Sequence, residues 1–251
     1  MNRLKIMKEG GAILGAVRSK LYSFVEVGVT PLEIEEKARA LIKEYGGEPS
    51  FTKVPGYHHV TCVNLNSGIV HGLPVSDVPF VDGDLVTVDC GVYFKGFHTD
   101  AAFSKVVGTS TPAKDKFLAA GLASLKSALS VIKPGSRIGD ISLATQTVLE
   151  NAGYYPTREL TGHGIGRELH EEPMIPNLLS VPIESTPELV LGQTLAIENI
   201  YADVKPRLSL EKDGWTINVI NGKLSAVFEE TVQVTEGGCS ILTTPTLFQI
   251  I

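Results

Sequence analysis

Apolar residues in the first part of the chain recur at helical spacing. Leu4, Ile6 and Met7 are followed by Ile13, Leu14 and Val17, and then by Leu21. This stripe predicts a helix from about residue 3. Gly28-Val29-Thr30-Pro31 breaks it. Thr30, Pro31 and Glu33 then make a helix start, with a hydroxyl cap and a proline where no N–H is needed. Ile34, Ala38, Leu41 and Ile42 form the apolar stripe of this second helix, and Gly46-Gly47 ends it. From 51 to 107 the pattern changes to short runs of Val, Thr, Tyr and Phe between Pro and Gly, which read as strands and turns. Helical spacing returns from Pro112 to Val131 and, after Lys133-Pro134-Gly135, from Ile138 to Asn151. Residues 154 to 235 again read as strands and long loops.

The second helix has a counterpart further along. Gly135 matches Gly28, Ile141 matches Ile34, Val148-Leu149 matches Leu41-Ile42, and Gly153 matches Gly46. Each half reads helix, then strands. The pattern predicts a duplicated α+β unit with pseudo-twofold symmetry, in halves of roughly 1–107 and 108–251, or else two amphipathic helices that coincide by chance. No linker or low-complexity segment interrupts the chain, so 1–251 is read as one domain.

Composition supports a packed core: 43% of residues are hydrophobic and 20% charged. The net charge of −6 gives no general attraction to nucleic acid or to an anionic membrane, and no Lys/Arg run is present. The three cysteines, Cys62, Cys90 and Cys239, form no CxxC pair, which speaks against a disulfide framework or a cysteine zinc site. The apolar run Ala12 to Val17 is too short for a signal peptide or a membrane span. A cytoplasmic protein is expected.

The candidate chemistry lies in the strand-like regions. Leu85 to Val92 alternates, with Val86, Val88, Cys90 and Val92 on one face and Thr87 and Asp89 on the other. A hairpin centred on Phe94-Lys95-Gly96 places Asp89 directly opposite Asp100. Either aspartate alone reads as an ordinary solvated residue. Two like charges so paired repel, and a cation between them removes the penalty. In Thr161 to Pro173, three glycines bracket His163, and His170 follows. Such freedom lets the backbone approach something closely, although a glycine-rich turn with an incidental histidine is the alternative. Glu198 interrupts the apolar run Leu195 to Tyr201, and Glu229 interrupts Val227 to Val234. Glu229 shares a face with Thr231 and Gln233, whereas Glu230 shares one with Phe228, Val232 and Val234, so Glu229 is chosen as the ligand. Each acid alone could sit on an edge strand and reach solvent. Four carboxylates with one imidazole form a hard donor set suited to Mn²⁺, Fe²⁺, Co²⁺ or Zn²⁺. Bridging carboxylates would let two ions sit ~3.5–4 Å apart and clamp one hydroxide.

These stretches, with His71-Gly72-Leu73-Pro74 and Asp213-Gly214-Trp215, resemble the type I methionine aminopeptidases, and the resemblance runs over nearly the whole chain. It implies an α+β pita-bread (creatinase/aminopeptidase) fold, with pseudo-symmetric halves around a central antiparallel sheet. It implies two divalent metal ions (Co, Mn, Fe or Zn) on Asp89, Asp100, His163, Glu198 and Glu229, with Asp100 and Glu229 bridging. Glu198 matches a proton shuttle. His170 matches a contact to the scissile carbonyl, and His71 lies by the peptide nitrogen. Tyr57, Cys62 and Trp215 match the methionine pocket, and Leu169 stands beside it. The implied activity is removal of N-terminal methionine from peptides and nascent chains; separately from the resemblance, a monomer is expected. The sequence departs from the family at Asn199 (usually Pro), at Leu169 (often aromatic) and at Val54-Pro55 (often an aromatic and a His), which opens the pocket's shape to question. Two rivals remain. One is an Xaa-Pro-type aminopeptidase of the same fold, whose members usually carry a large extra N-terminal domain. The other is a non-catalytic pita-bread binding protein, which would typically lose ligands.

Overall fold

The computed structural model describes residues 2–251. Helix α1 (Arg3–Phe24) starts on Asn2, whose side chain accepts from the Leu4 N–H. Its buried face carries Leu14, Val17 and Leu21, and also Arg18. Helix α2 (Pro31–Glu44) starts on a full capping box between Thr30 and Glu33. Helices α3 (Pro112–Ser130) and α4 (Ile138–Ala152) occupy the other two expected positions. A short α5 (Leu247–Ile250) closes the chain.

The first half contributes β1 (Glu48–Pro49), β2 (Thr61–Leu65), β3 (Gly68–Val70), β4 (Leu85–Phe94) and β5 (Phe97–Val106). The second contributes β6 (Tyr155–Pro156), β7 (Thr161–Gly164), β8 (Glu171–Pro176) and β9 (Thr194–Ala202), then β10 (Leu208–Leu210), β11 (Ile217–Val219), β12 (Ser225–Thr235) and β13 (Gly238–Ile241). Strand β4 pairs with β1, β2 and β5. A second sheet runs β13-β12-β9-β7-β8, with β6 on β9, and a third runs β10-β11-β3. Every ladder is antiparallel.

The expected central sheet is therefore divided, and side chains join its parts. Where β5 meets β12, hydroxyls replace the backbone ladder. The Asp100 N–H donates to Thr231 Oγ1, which donates back to the Asp100 carbonyl. Ser104 Oγ donates to the Val227 carbonyl and accepts from the Val227 N–H. Each hydroxyl satisfies one donor and one acceptor, so the seam leaves these polar groups paired.

The helices cover one side of this assembly: α1 packs on β4 and β5, and α3 packs on β9, β12 and α4. Val86, Val88, Cys90 and Val92 of β4 face that core, with Leu14, Val17, Ile34 and Phe117. The opposite strand faces are left for the site. The matched glycines of the two halves share one backbone conformation: φ is 91° at Gly28 and 85° at Gly135, and 78° at Gly46 and 88° at Gly153.

Candidate metal centre

The β4–β5 hairpin brings in the first two carboxylates, in a register other than the expected one. Lys95 (φ 47°) and Gly96 (φ 91°) form a two-residue turn with both residues left-handed, and Phe94 pairs with Phe97. The sequence reading centred the turn one residue too early. Asp89 therefore faces Ala102, and Asp100 faces Gly91. The two acids are diagonal neighbours on one face rather than direct partners, and both line the same cavity.

Strands β9 and β12 bring in the glutamates, and Glu198 pairs directly with Glu229 across the ladder. Strand parity turns Glu229 into the cavity, whereas Glu230 points to the helix side, where Arg18 holds it at 2.9 Å. His163 comes from β7 beside Ala196 of β9. Close approach there depends on Gly162: a Cβ would lie 2.6 Å from the Ala196 carbonyl oxygen and 3.4 Å from Glu198 Cγ. The His163 Nδ1–H donates to the Gly164 carbonyl at 2.8 Å, which leaves Nε2 free toward the cavity.

All five residues line one cavity with His71 and His170. Asp100, His163 and Glu229 each offer a ligand atom within 4.8 Å of the other two. Asp89 and Glu198 flank this trio, and Glu198 Oε1 lies 3.6 Å from His163 Nε2. The His163 and His170 rings stand edge to face, 4.5 Å apart.

The electrostatics call for positive charge. Burial pushes the Asp89 carboxyl up to about 7. Burial, and then the neighbouring carboxylates, push Asp100, Glu198 and Glu229 up as well. Burial, reinforced by His170, lowers His163 to about 4, so the imidazole is neutral at physiological pH, the form that ligates metals. Among the described residues, three buried side-chain polar atoms lack a hydrogen-bond partner, and two of them, Asp89 Oδ1 and Glu229 Oε1, are in this cluster. Uncompensated buried carboxylates are costly, and the nearby Arg18 is already committed to Glu230. The donors, their crowding and the two orphaned oxygens fit a divalent cation.

Residues 5–236 match the family model described as metallopeptidase family M24. The chain belongs to that family. It is 37% identical to methionine aminopeptidase 1 of Bacillus subtilis over 240 residues, 96% of either chain. The crystal structure of a Thermotoga maritima methionine aminopeptidase superposes with a TM-score of 0.93 at 34% identity and 96% coverage of both chains. Prolidase from Pyrococcus furiosus shares the fold at a TM-score of 0.77 and 24% identity, covering 96% of this chain and 64% of its own. The architecture is thus the α+β pita-bread fold, and the family uses divalent metal.

The apolar side of this M24 cavity contains Phe51, Tyr57, Cys62, Leu169 and Trp215. The Tyr57 hydroxyl donates to the Thr61 carbonyl at 2.7 Å and lies 3.1 Å from Cys62 Sγ, and the Tyr57 and Trp215 rings meet edge to face at 4.9 Å. Of the departures noted in the sequence, Val54 and Leu169 line the cavity, whereas Pro55 is exposed. Asn199 turns away from it, donating to Ser124 Oγ of α3 at 2.7 Å. Sequence reasoning missed Phe51, whose neighbours carry no pattern, and Thr231, whose link to Asp100 spans two strands far apart in sequence. It also missed Arg18, although a charge inside the stripe of Leu14, Val17 and Leu21 was a visible signal.

Proposed function

We propose that this chain is a type I methionine aminopeptidase, removing the N-terminal methionine of peptides and nascent proteins. In this reading Asp89, Asp100, His163, Glu198 and Glu229 would hold two divalent ions; Co, Mn, Fe and Zn all suit the donors. One observation carries the proposal: a single cavity has an apolar wall of Tyr57, Cys62, Leu169 and Trp215 and, next to it, the buried carboxylates. A site built this way holds one apolar side chain and places the adjoining peptide bond at the charged end. The full-length similarity to methionine aminopeptidases supports the same substrate.

Bound divalent metal lowers the pKa of water and stabilises negative charge on the scissile carbonyl oxygen. The chain's own groups do the rest. The apolar wall binds and orients the first side chain and excludes water around it. Glu198 accepts a proton from the attacking water and delivers it to the leaving amine. His170 and His71 both line the cavity, and burial lowers both below the usual imidazole range. Each is therefore neutral at pH 7 and can donate a hydrogen bond from one nitrogen. His170 donates to the scissile carbonyl, and His71 stands by the peptide nitrogen. His71 also adopts φ 58°, a left-handed conformation uncommon for a side-chain-bearing residue and typical of functional positions.

The same reading makes the protein a cytoplasmic monomer, without nucleic-acid or membrane partners. Among the described residues no helix is long and apolar enough to cross a membrane, and the three cysteines are free. It also treats 1–251 as one catalytic domain made from a duplicated half, which the paired glycine conformations favour. Metal-loaded protein assayed on Met-Gly and Ala-Pro peptides tests the function: release of Met, abolished by chelation, is expected. Release from Ala-Pro alone, or from neither, would overturn it.

A further inference from the structure

We infer that Glu35, on α2 and outside the catalytic cavity, is the positioning residue that sets the shape and selectivity of the side-chain pocket. The inference rests on the proposed reading of that cavity as the subsite for the first residue.

Glu35 is 4% exposed. Its carboxylate gathers the start of β2 and the residue before it. The Val60 N–H donates to Oε1 at 2.9 Å and to Oε2 at 3.1 Å, and the Thr61 N–H donates to Oε2 at 3.0 Å. The Thr61 hydroxyl donates to Oε2 at 2.8 Å. Arg39, one helical turn on, donates to Oε1 at 2.8 Å, and His59 Nδ1 lies 3.8 Å away. The segment from Tyr57 to Val60 lies in neither helix nor strand. A loop without its own ladder takes its shape from such bonds.

What this anchor holds is the pocket wall. Thr61 receives the Tyr57 hydroxyl on its carbonyl, Cys62 follows it directly, and Tyr57 packs against Trp215. The chain of contacts runs from Glu35 to Thr61 to Tyr57 and on to Trp215. None of the five metal-cluster residues bonds Glu35. Losing the anchor should loosen the wall and leave the charged end intact. Carboxylate-to-N–H bonds are among the stronger ones in proteins, and one buried acid here organises four of the donors around it.

The test compares metal-loaded wild type with Glu35→Gln and with Thr61→Val, a milder change that removes only the hydroxyl donor. Each is assayed on Met-Ala and Leu-Ala peptides for kcat and KM, with metal content measured alongside. For Glu35→Gln we expect the Met-over-Leu ratio of kcat/KM to fall about tenfold, the scale of one methylene in a fitted pocket, mainly through KM, with metal content unchanged. Thr61→Val should move the ratio the same way by less. The chain's only tryptophan is Trp215, so its acrylamide quenching reports the wall without catalysis. Quenching should rise in both variants. An unchanged ratio and unchanged quenching in folded variants would overturn the inference. If Glu35→Gln fails to fold, Thr61→Val decides by the same readings. Wild type that releases no Met sinks the proposed substrate instead, and the quenching comparison still decides the role of Glu35.

Discussion

Arg18 and Glu230 form an ion pair at 2.9 Å with both side chains fully buried, directly behind the cavity acid Glu229. Arg18 also donates to the Glu229, Thr243 and Pro245 carbonyls, and Glu230 accepts from Thr243 Oγ1 and the Leu247 N–H. The pair thus ties α1, β12 and the chain's end together. Removing one partner of a buried pair leaves an uncompensated charge, so Glu230→Gln should destabilise the fold by about 3–5 kcal/mol in urea titration. Its folded fraction should still bind metal. Glu229→Gln should do the reverse, with stability little changed and metal affinity reduced at least ~10-fold by isothermal titration. Equal effects of the two would mean that strand parity had not separated their roles.

The acid cluster predicts how the protein responds to chelation. In the metal-free protein, burial raises Asp89 from 3.8 to about 7 and raises Asp100, Glu198 and Glu229 as well. Between the unfolded and folded values these acids bind more protons in the folded state, so their contribution to metal-free stability falls as pH rises; below about pH 6.5 it is opposed by His71, His98, His163 and His170, whose lowered values make stability rise with pH. Above about pH 7 the histidines are neutral in both states, so thermal unfolding of chelated protein at several values between about pH 7 and about pH 9 should show the decline, with the stabilisation from added divalent metal largest at the upper end. A flat or rising profile for the chelated protein would contradict the crowding of these carboxylates.

Gly162 tests the close packing of the histidine strand. A Cβ there would meet the Ala196 carbonyl oxygen at 2.6 Å and the Glu198 N at 3.3 Å, both backbone atoms that cannot rotate aside. Gly162→Ala should push β7 off β9, cost about 1–3 kcal/mol and displace His163 from the cluster. Metal affinity should fall along with the unfolding midpoint. A variant with wild-type affinity would mean that β7 tolerates the shift.

What could be read from the chain in advance follows the range of each interaction. Helices α2 and α4 were visible because the capping box at Thr30 and the terminal glycines act within a few residues. The choice of Glu229 over Glu230 followed from strand alternation alone. The hairpin register did not, because Lys95 takes a left-handed conformation that its residue type does not advertise. A turn centred one residue early moves the pairing by two positions and keeps side chains on their faces, so the Asp89–Asp100 relationship survived the error. The division of the sheet was invisible for a different reason. Ser104 and Thr231 read as ordinary strand residues, and only the fold brings them to each other's strand.

Asn199 supplies the last prediction. It sits beside Glu198 in sequence, where the family commonly has proline, and so looked like a change to the site. The structure turns its side chain away from the cavity, into a buried group on α3 and α4. Its amide donates to Ser124 Oγ at 2.7 Å, Thr145 Oγ1 lies 3.5 Å from its carbonyl oxygen, and Ser124 donates to the Thr145 carbonyl at 3.1 Å. Asn199 therefore fastens β9 to the helix pair without touching substrate. Asn199→Ala would remove a buried partner of Ser124 and should cost about 1–3 kcal/mol. KM for a Met-Ala peptide and metal content should stay at wild-type values, measured well below the unfolding midpoint. A raised KM with unchanged stability would place Asn199 in the site after all, acting through the backbone of Glu198.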